Sequence, residues 1–179
     1  NFKKELKYSN SVPYTYGFKN PYSWINSCEK LLDNLPLDVK SNIVNLAISG
    51  TSGTLTACNL KGEPIGEAIP YDQACYDNNV LTESFAFGED HLNTPYSSLA
   101  KALKLINKFG KNILLRHQSD WITGWFLKDW TYGEEGNNLK LGWDLIKESW
   151  PESYLNTSWI KCLPLITKSG EILGQIDSD

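Results

Sequence analysis

The sequence predicts a mixed α/β or α+β layer fold, and two features carry that prediction. Short apolar runs bounded by glycine or proline fill the part before residue 80, where strands and tight turns are expected. Beyond it, apolar residues recur at three- and four-residue spacing, the period of a helix with one buried face. Strands and helices that share one core define a layered architecture. With 179 residues, 41% hydrophobic and 21% charged, the chain has the material for one sizeable core.

Residues 5–12 read as a weak strand ended by Pro13, and the Tyr-, Gly-, Asn- and Pro-rich residues 14–21 lead into a helix. Ser23 is the expected N-cap; Trp24, Cys28, Leu31, Leu32 and Leu35 fall at helical spacing, and Asn34 with Pro36 ends the run. Residues 43–48 form a mostly apolar run bounded by Gly50, suited to a buried strand. Residues 54–58 make a second strand, Asn59-Leu60-Lys61-Gly62 a hairpin turn, and residues 65–69 a third short strand. Helices are expected over 97–109, stopped by Gly110, and over 119–127. Two short ones follow at 137–143 and 145–150, the last ended by Pro151. In the tail, 163–176, Ser169-Gly170 is a turn between two extended pieces.

Composition narrows the function classes. A net charge of -4, with no Lys/Arg run longer than two, gives no attraction to nucleic acid or anionic lipid. No apolar stretch approaches the roughly 20 residues of a membrane-spanning helix. Cys28, Cys58, Cys75 and Cys162 are scattered without a CxxC pair, which argues against a disulfide framework or a zinc site and for a reducing cytoplasm. The chain has no methionine, even at position 1, and reads as part of something longer.

Gly50-Thr51-Ser52-Gly53-Thr54 directly follows an apolar run. Its glycines allow a sharp reversal and close backbone approach to a ligand, and its hydroxyls can bond a polyol; the same residues also suit a plain hairpin turn. It is neither a Walker loop nor a dinucleotide-binding fingerprint. At the end of the hairpin, Tyr71-Asp72-Gln73-Ala74-Cys75 sets a carboxylate beside an amide, a pair able to hold vicinal hydroxyls, with an aromatic ring to cover a sugar face. Asp72 as a turn cap is the structural alternative. His117 and Asp120 are too few ligands for a metal, and Ser119 or Asp120 capping a helix explains the polarity there. His91 has no partner in the sequence pattern. Cys58 and Cys75 lack a nearby His for nucleophilic catalysis. Trp121, Trp125, Trp130 and Trp143 read as core aromatics.

Taken in order, these segments resemble the FGGY family of carbohydrate kinases. Ile48 to Thr54, Asn59 to Pro64 and Tyr71 to Cys75 are similar to the family's glycine-rich loop, hairpin and sugar-facing loop. Ser119-Asp120-Trp121-Ile122, Asn137 to Trp143, Leu163-Pro164 and Ser169 to Gly174 are similar to its later segments. The Gly50–Thr54 and Gln73–Cys75 motifs look most like the ribulokinase-like branch of cyanobacteria and plants. Xylulokinases typically differ at Thr51-Ser52-Gly53 and carry an Arg where Cys75 stands.

The resemblance implies an RNase H-like, actin/hexokinase-type domain, a mixed β-sheet flanked by helices with its first strand missing. Residues 1–179 would be an incomplete N-terminal, sugar-binding domain. The parent enzyme would phosphorylate a ketopentose such as D-ribulose with ATP and Mg²⁺, with a xylulokinase, a glycerol or hexulose kinase, or a non-catalytic sugar-binding module as alternatives. Thr51, Ser52, Gly53, Tyr71, Asp72 and Gln73 would contact the small-molecule sugar. No catalytic residue or metal ligand falls within the chain, and the fragment alone is expected to be inactive. An exposed sheet edge left by the missing strand would favour homo-oligomers.

Overall fold

Asn59 sets the hairpin around which the fold is built. Its side-chain oxygen accepts the amides of Lys61 and Glu63 at 2.9 and 3.1 Å, and its carbonyl accepts the Gly62 amide at 2.9 Å. In the computed structural model, which describes residues 5–76 and 92–176, the turn follows strand β1 (Leu55–Cys58). The returning segment, 64–69, bridges β1 at Cys58↔Pro64 and Leu55↔Ile69. On its other edge β1 pairs antiparallel with β2 (Leu114–His117), in the register Leu55↔His117. Both edges of β1 are therefore occupied.

Every residue of β1 is buried, so it reads as a continuous run rather than an alternating one. The pleat still divides its side chains. Leu55 and Ala57 join a core with Leu99, Leu103, Ile106 and Leu115, whereas Cys58 joins a second core with Trp24, Trp121 and Ile122.

Helices cover the two sides. Helix α1 (Pro21–Asp33) starts from Asn20, whose side chain caps the Tyr22 amide, with Pro21 preset for the first turn. A short helix α2 (Leu37–Lys40) follows. Helix α3 (Ser98–Phe109) is capped by Ser97, which accepts the Ala100 amide at 3.1 Å, and it buries Leu99, Ala102, Leu103, Leu105 and Ile106. Helix α4 (Gln118–Leu127) leaves β2 directly. Beyond it, β3 (Tyr132–Glu134) pairs in parallel with β4 (Leu165–Thr167). Parallel pairing requires a crossover. Here that connection carries α5 (Glu135–Asn138), a 3₁₀ turn at Leu139–Leu141 and α6 (Glu152–Leu155). The result is the expected mixed α/β fold with helices flanking sheet, regular over two short pairs, β1–β2 and β3–β4.

Several expectations are corrected. Residues 5–12 form no strand; Tyr8 donates its hydroxyl to the Asn34 carbonyl at the end of α1, and Ser27 of α1 donates to the carbonyl of the following Pro13. Residues 43–48 have no regular structure and pair with no described strand, and Ile43, Val44 and Leu46 are exposed rather than buried. Apolar content alone makes no strand when both edges of the neighbouring one are filled. The N-cap of α1 is Asn20, not Ser23, whose hydroxyl instead accepts the Tyr16 amide. The helix expected at 145–150 is a loop: Asp144 accepts the Ile146 and Lys147 amides, Asp144 bridges Ser149, and Glu148 takes φ 49. The second extended piece of the tail has no regular structure. His91 lies outside the described residues.

One indole locks hairpin to helix. A Cβ at Gly62 would sit 2.2 Å from the Trp130 ring, and one at Gly124 would sit 2.4 Å from it. Trp130 Nε1 donates to the Trp121 carbonyl, and Trp121 Nε1 to that of Gly62, at 3.1 and 2.9 Å. Gly124→Ala forces the ring out of this slot and is expected to cost about 1–3 kcal/mol, the range for an overpacked site. Gly62→Ala should cost more, because its φ of 81 is also strained for a side chain. Urea unfolding followed by tryptophan fluorescence checks both.

Candidate functional site

The site lies where the start of β1 meets the start of α4. Thr54 is the last residue before β1, and its carbonyl accepts the Gln118 amide at 3.1 Å. Residues 51–54 form a turn closed by the Thr54 amide on the Thr51 carbonyl, with Gly53 at φ 88. Gly50 has no room for a side chain: a Cβ would stand 2.9 Å from the Ser119 amide nitrogen. The absence of a side chain at 50 lets the loop lie flat against the helix start.

A chain of hydrogen bonds joins three segments. Gln118 Oε1 accepts both the amide and the hydroxyl of Thr51, at 2.9 and 2.8 Å. Because the Thr51 hydroxyl donates there, it accepts from the Thr54 hydroxyl, 2.8 Å away. Thr54 Oγ1 in turn accepts the Tyr71 amide at 3.2 Å. The two loops singled out in the sequence are thus physically joined.

The joining uses side chains expected to face a ligand. Thr51 and Thr54 spend their hydroxyls internally, and Gly53 is buried. Ser52, Tyr71 and Asp72 carry exposed side chains, with Gln73 half-buried. Lys140 reaches the Ser52 carbonyl at 3.5 Å and passes 3.3 Å from the Cβ position of Gly53. Asp72 caps no amide among the described residues; the turn there is closed by the Gln73 amide on the Pro70 carbonyl at 3.1 Å.

Gly50 also lines a cavity of about 300 Å³, together with Ser49, Ser119, Asp120, Glu134, Asn137 and Ser169 among others. Asp120 is not a helix cap. Its carboxylate accepts the Glu134 amide and the Asn138 side-chain amide, both at 3.1 Å, and so ties α4 to β3 and α5. Asn137 bonds Ser119 at 2.7 Å. His117 is buried with Nε2 3.0 Å from the Ser98 hydroxyl and Nδ1 3.8 Å from Asp120, too far for a hydrogen bond.

Glu134 caps α5, accepting the Gly136 and Asn137 amides at 2.8 Å each as well as the Ser169 hydroxyl. Burial pushes its carboxyl up, but these three bonds and His117 outweigh burial and hold it below the ordinary carboxylate range. Burial pushes the Cys58 thiol up to about 12, against a smaller opposing effect of Arg116, so it is no nucleophile at neutral pH.

Sequence reasoning missed Gln118, Lys101 and the Asp120–Asn138 clamp. Lys101 carried a signal: a lysine four residues before Leu105 on the buried stripe of α3. Gln118 carried none, because its role depends on the register of β2 against β1.

No known protein-family model matches the chain. The fold does match a solved structure, that of Plasmodium falciparum glycerol kinase with ADP, with a TM-score of 0.73 at 17% identity. The match covers 89% of this chain and 37% of the kinase chain, so the present chain spans little more than a third of that protein's length. The likeness is one of fold. It agrees with the actin/hexokinase-type architecture expected from the sequence.

Because the folded carboxyl of Glu134 is held low, its stabilisation is complete above the unfolded value, 4.5, and is lost as pH falls through the folded one. Glu134→Ala should therefore cost about 1 kcal/mol near neutral pH, as for loss of an N-cap. The gap from wild type should shrink in acid below the unfolded value, which urea midpoints at a series of pH values would show.

Proposed function

We propose that this chain is the sugar- or polyol-binding part of an ATP-dependent carbohydrate kinase of the FGGY type. One observation carries the reading: the Gly50–Thr54 and Tyr71–Gln73 loops, which resemble that family's substrate loops, are joined through Thr51, Thr54 and Tyr71 on a fold shared with part of a glycerol kinase. Ser52, Tyr71, Asp72 and Gln73 present the groups that hold hydroxyls, and Thr51 and Gly53 shape the loop that carries them.

The solved counterpart acts on glycerol, and this supports the glycerol-kinase alternative over a ketopentose. D-ribulose rests on the Gly50–Thr54 and Gln73–Cys75 motifs alone. We therefore take the substrate to be a small polyol, with glycerol first.

MgATP would serve as phosphoryl donor. The Thr51 and Thr54 amides are already bonded within the chain. This chain's part is to bind and orient the acceptor hydroxyl, in keeping with a reaction that depends mainly on positioning. A cytoplasmic setting fits the four cysteines, which form no disulfide with one another.

The test is ADP formation with glycerol, D-ribulose, D-xylulose and L-ribulose by the protein that carries this chain, beside the 179-residue chain alone. Turnover with one of them, absent from the shorter chain, is the expected result. Asp72→Ala should then weaken that polyol about tenfold or more, the effect of losing a hydrogen bond to a charged group. Silence with all four, together with no shift of the Tyr71 to Gln73 amide resonances on adding polyol, refutes the proposal.

A further inference from the structure

Lys101 is 0% exposed, although it is a lysine. Its ammonium donates to two backbone carbonyls, Tyr71 at 3.2 Å and Tyr96 at 2.8 Å. These belong to different segments: the end of the hairpin, and the loop that enters α3. Tyr71 is also where the hydrogen-bond chain from Gln118 arrives, so its peptide group is held from both sides, its amide by Thr54 and its carbonyl by Lys101. Burying an ammonium among backbone carbonyls is costly, and a methionine would fill the same space without that cost. The charge serves the loop rather than the core.

We propose that Lys101 is a positioning residue, whose charged ammonium fixes the direction in which Tyr71, Asp72 and Gln73 face the Gly50–Gly53 loop. Its importance for substrate rests on the polyol reading of that loop. Among the described residues, Asp72 and Cys75 from the hairpin end and Lys140 from the 3₁₀ turn act on this ammonium. Burial pulls the amine down to about 8 from 10.5; Cys75 and Asp72 oppose the shift, and Lys140 adds to it.

The sign of the pH dependence makes the role separable from a merely structural one. A lysine whose folded value lies below its unfolded one makes the fold more stable as pH rises from about 8 to 10.5. Over the same range the bonds to Tyr71 and Tyr96 lose their charge assistance, which roughly halves their strength. Stability and order of the Tyr71–Gln73 loop should therefore move in opposite directions.

The experiment is native-state amide exchange by NMR on the full 179-residue chain, wild type and Lys101→Met, on both sides of pH 8, with glycerol and D-ribulose titrations alongside. In the wild type, protection of the Tyr71 and Gln73 amides relative to those of α3 is expected to fall about fivefold above that pH. In Lys101→Met it should be low throughout, while the thermal midpoint no longer gains from alkali. Flat wild-type protection across the pH range in which the Lys101 amine is itself seen to titrate overturns the proposal, and this arm needs no variant to fold. Equal protection in the two proteins overturns it as well. Lys101-dependent loop order without any response to either polyol supports the positioning role and refutes the polyol reading instead.

Discussion

Arg116 is the buried charge on which the arrangement of the two sheets depends. It stands in β2 with 2% of its surface exposed, and its guanidinium donates to the carbonyls of Leu115, Trp130 and Cys162. Trp130 lies just before β3, and Cys162 just before β4. A single side chain thus gathers the entries of both strands of the second sheet against β2 of the first. Burial pulls the guanidinium down to about 10, with Cys58, Asp120, Cys162 and Asp129 opposing, so it stays charged at neutral pH. A buried cation held by carbonyls must have all of them in place at once, because each donor left unmet costs far more than a lost surface contact. Where that cost sits, the backbone has little freedom.

The candidate site is downstream of this constraint. With β2 fixed against β1, Gln118 necessarily emerges beside Thr51, and the side-chain-free Gly50 lets the loop settle on the helix start. Asp120, two residues along, reaches β3 and α5. The polar residues around the loops therefore divide by role. Thr51, Thr54, Gln118, Asp120 and Asn138 spend their hydrogen bonds within the chain, whereas Ser52, Tyr71 and Asp72 sit at the surface. A rigid interior that presents a few outward groups suits recognition of a small polar ligand.

Much of this was legible in the sequence wherever the information is local. The turn at Asn59 to Gly62, the stripe of α3 and its stop at Gly110 follow from side-chain periodicity and turn chemistry, and the structure has each of them. The loops at 50–54 and 71–75 stood out one by one, and only the family resemblance brought them together. What stayed hidden depends on partners far along the chain. Nothing around residue 118 announces that its amide side chain will serve Thr51, 67 positions earlier. The segment at 43–48 is apolar enough for a strand, but strand status is conferred by an available edge. At 144–149 the apolar Leu145 and Ile146 suggested a helix; the Asp144 side chain competes for the same amides and wins, leaving Ile146 95% exposed.

Gly62, Gly124 and Trp130 meet in a single packing event, and this governs how the sequence can drift. Neither glycine can gain a methyl while the indole is present, and an indole cannot be introduced opposite a residue that already has one. Replacement of Trp130 by something smaller would release Gly124, whereas Gly62 stays held by its φ of 81. Homologous chains should therefore show positions 124 and 130 varying together, the bulky residue changing before the small one, with glycine kept at 62 throughout.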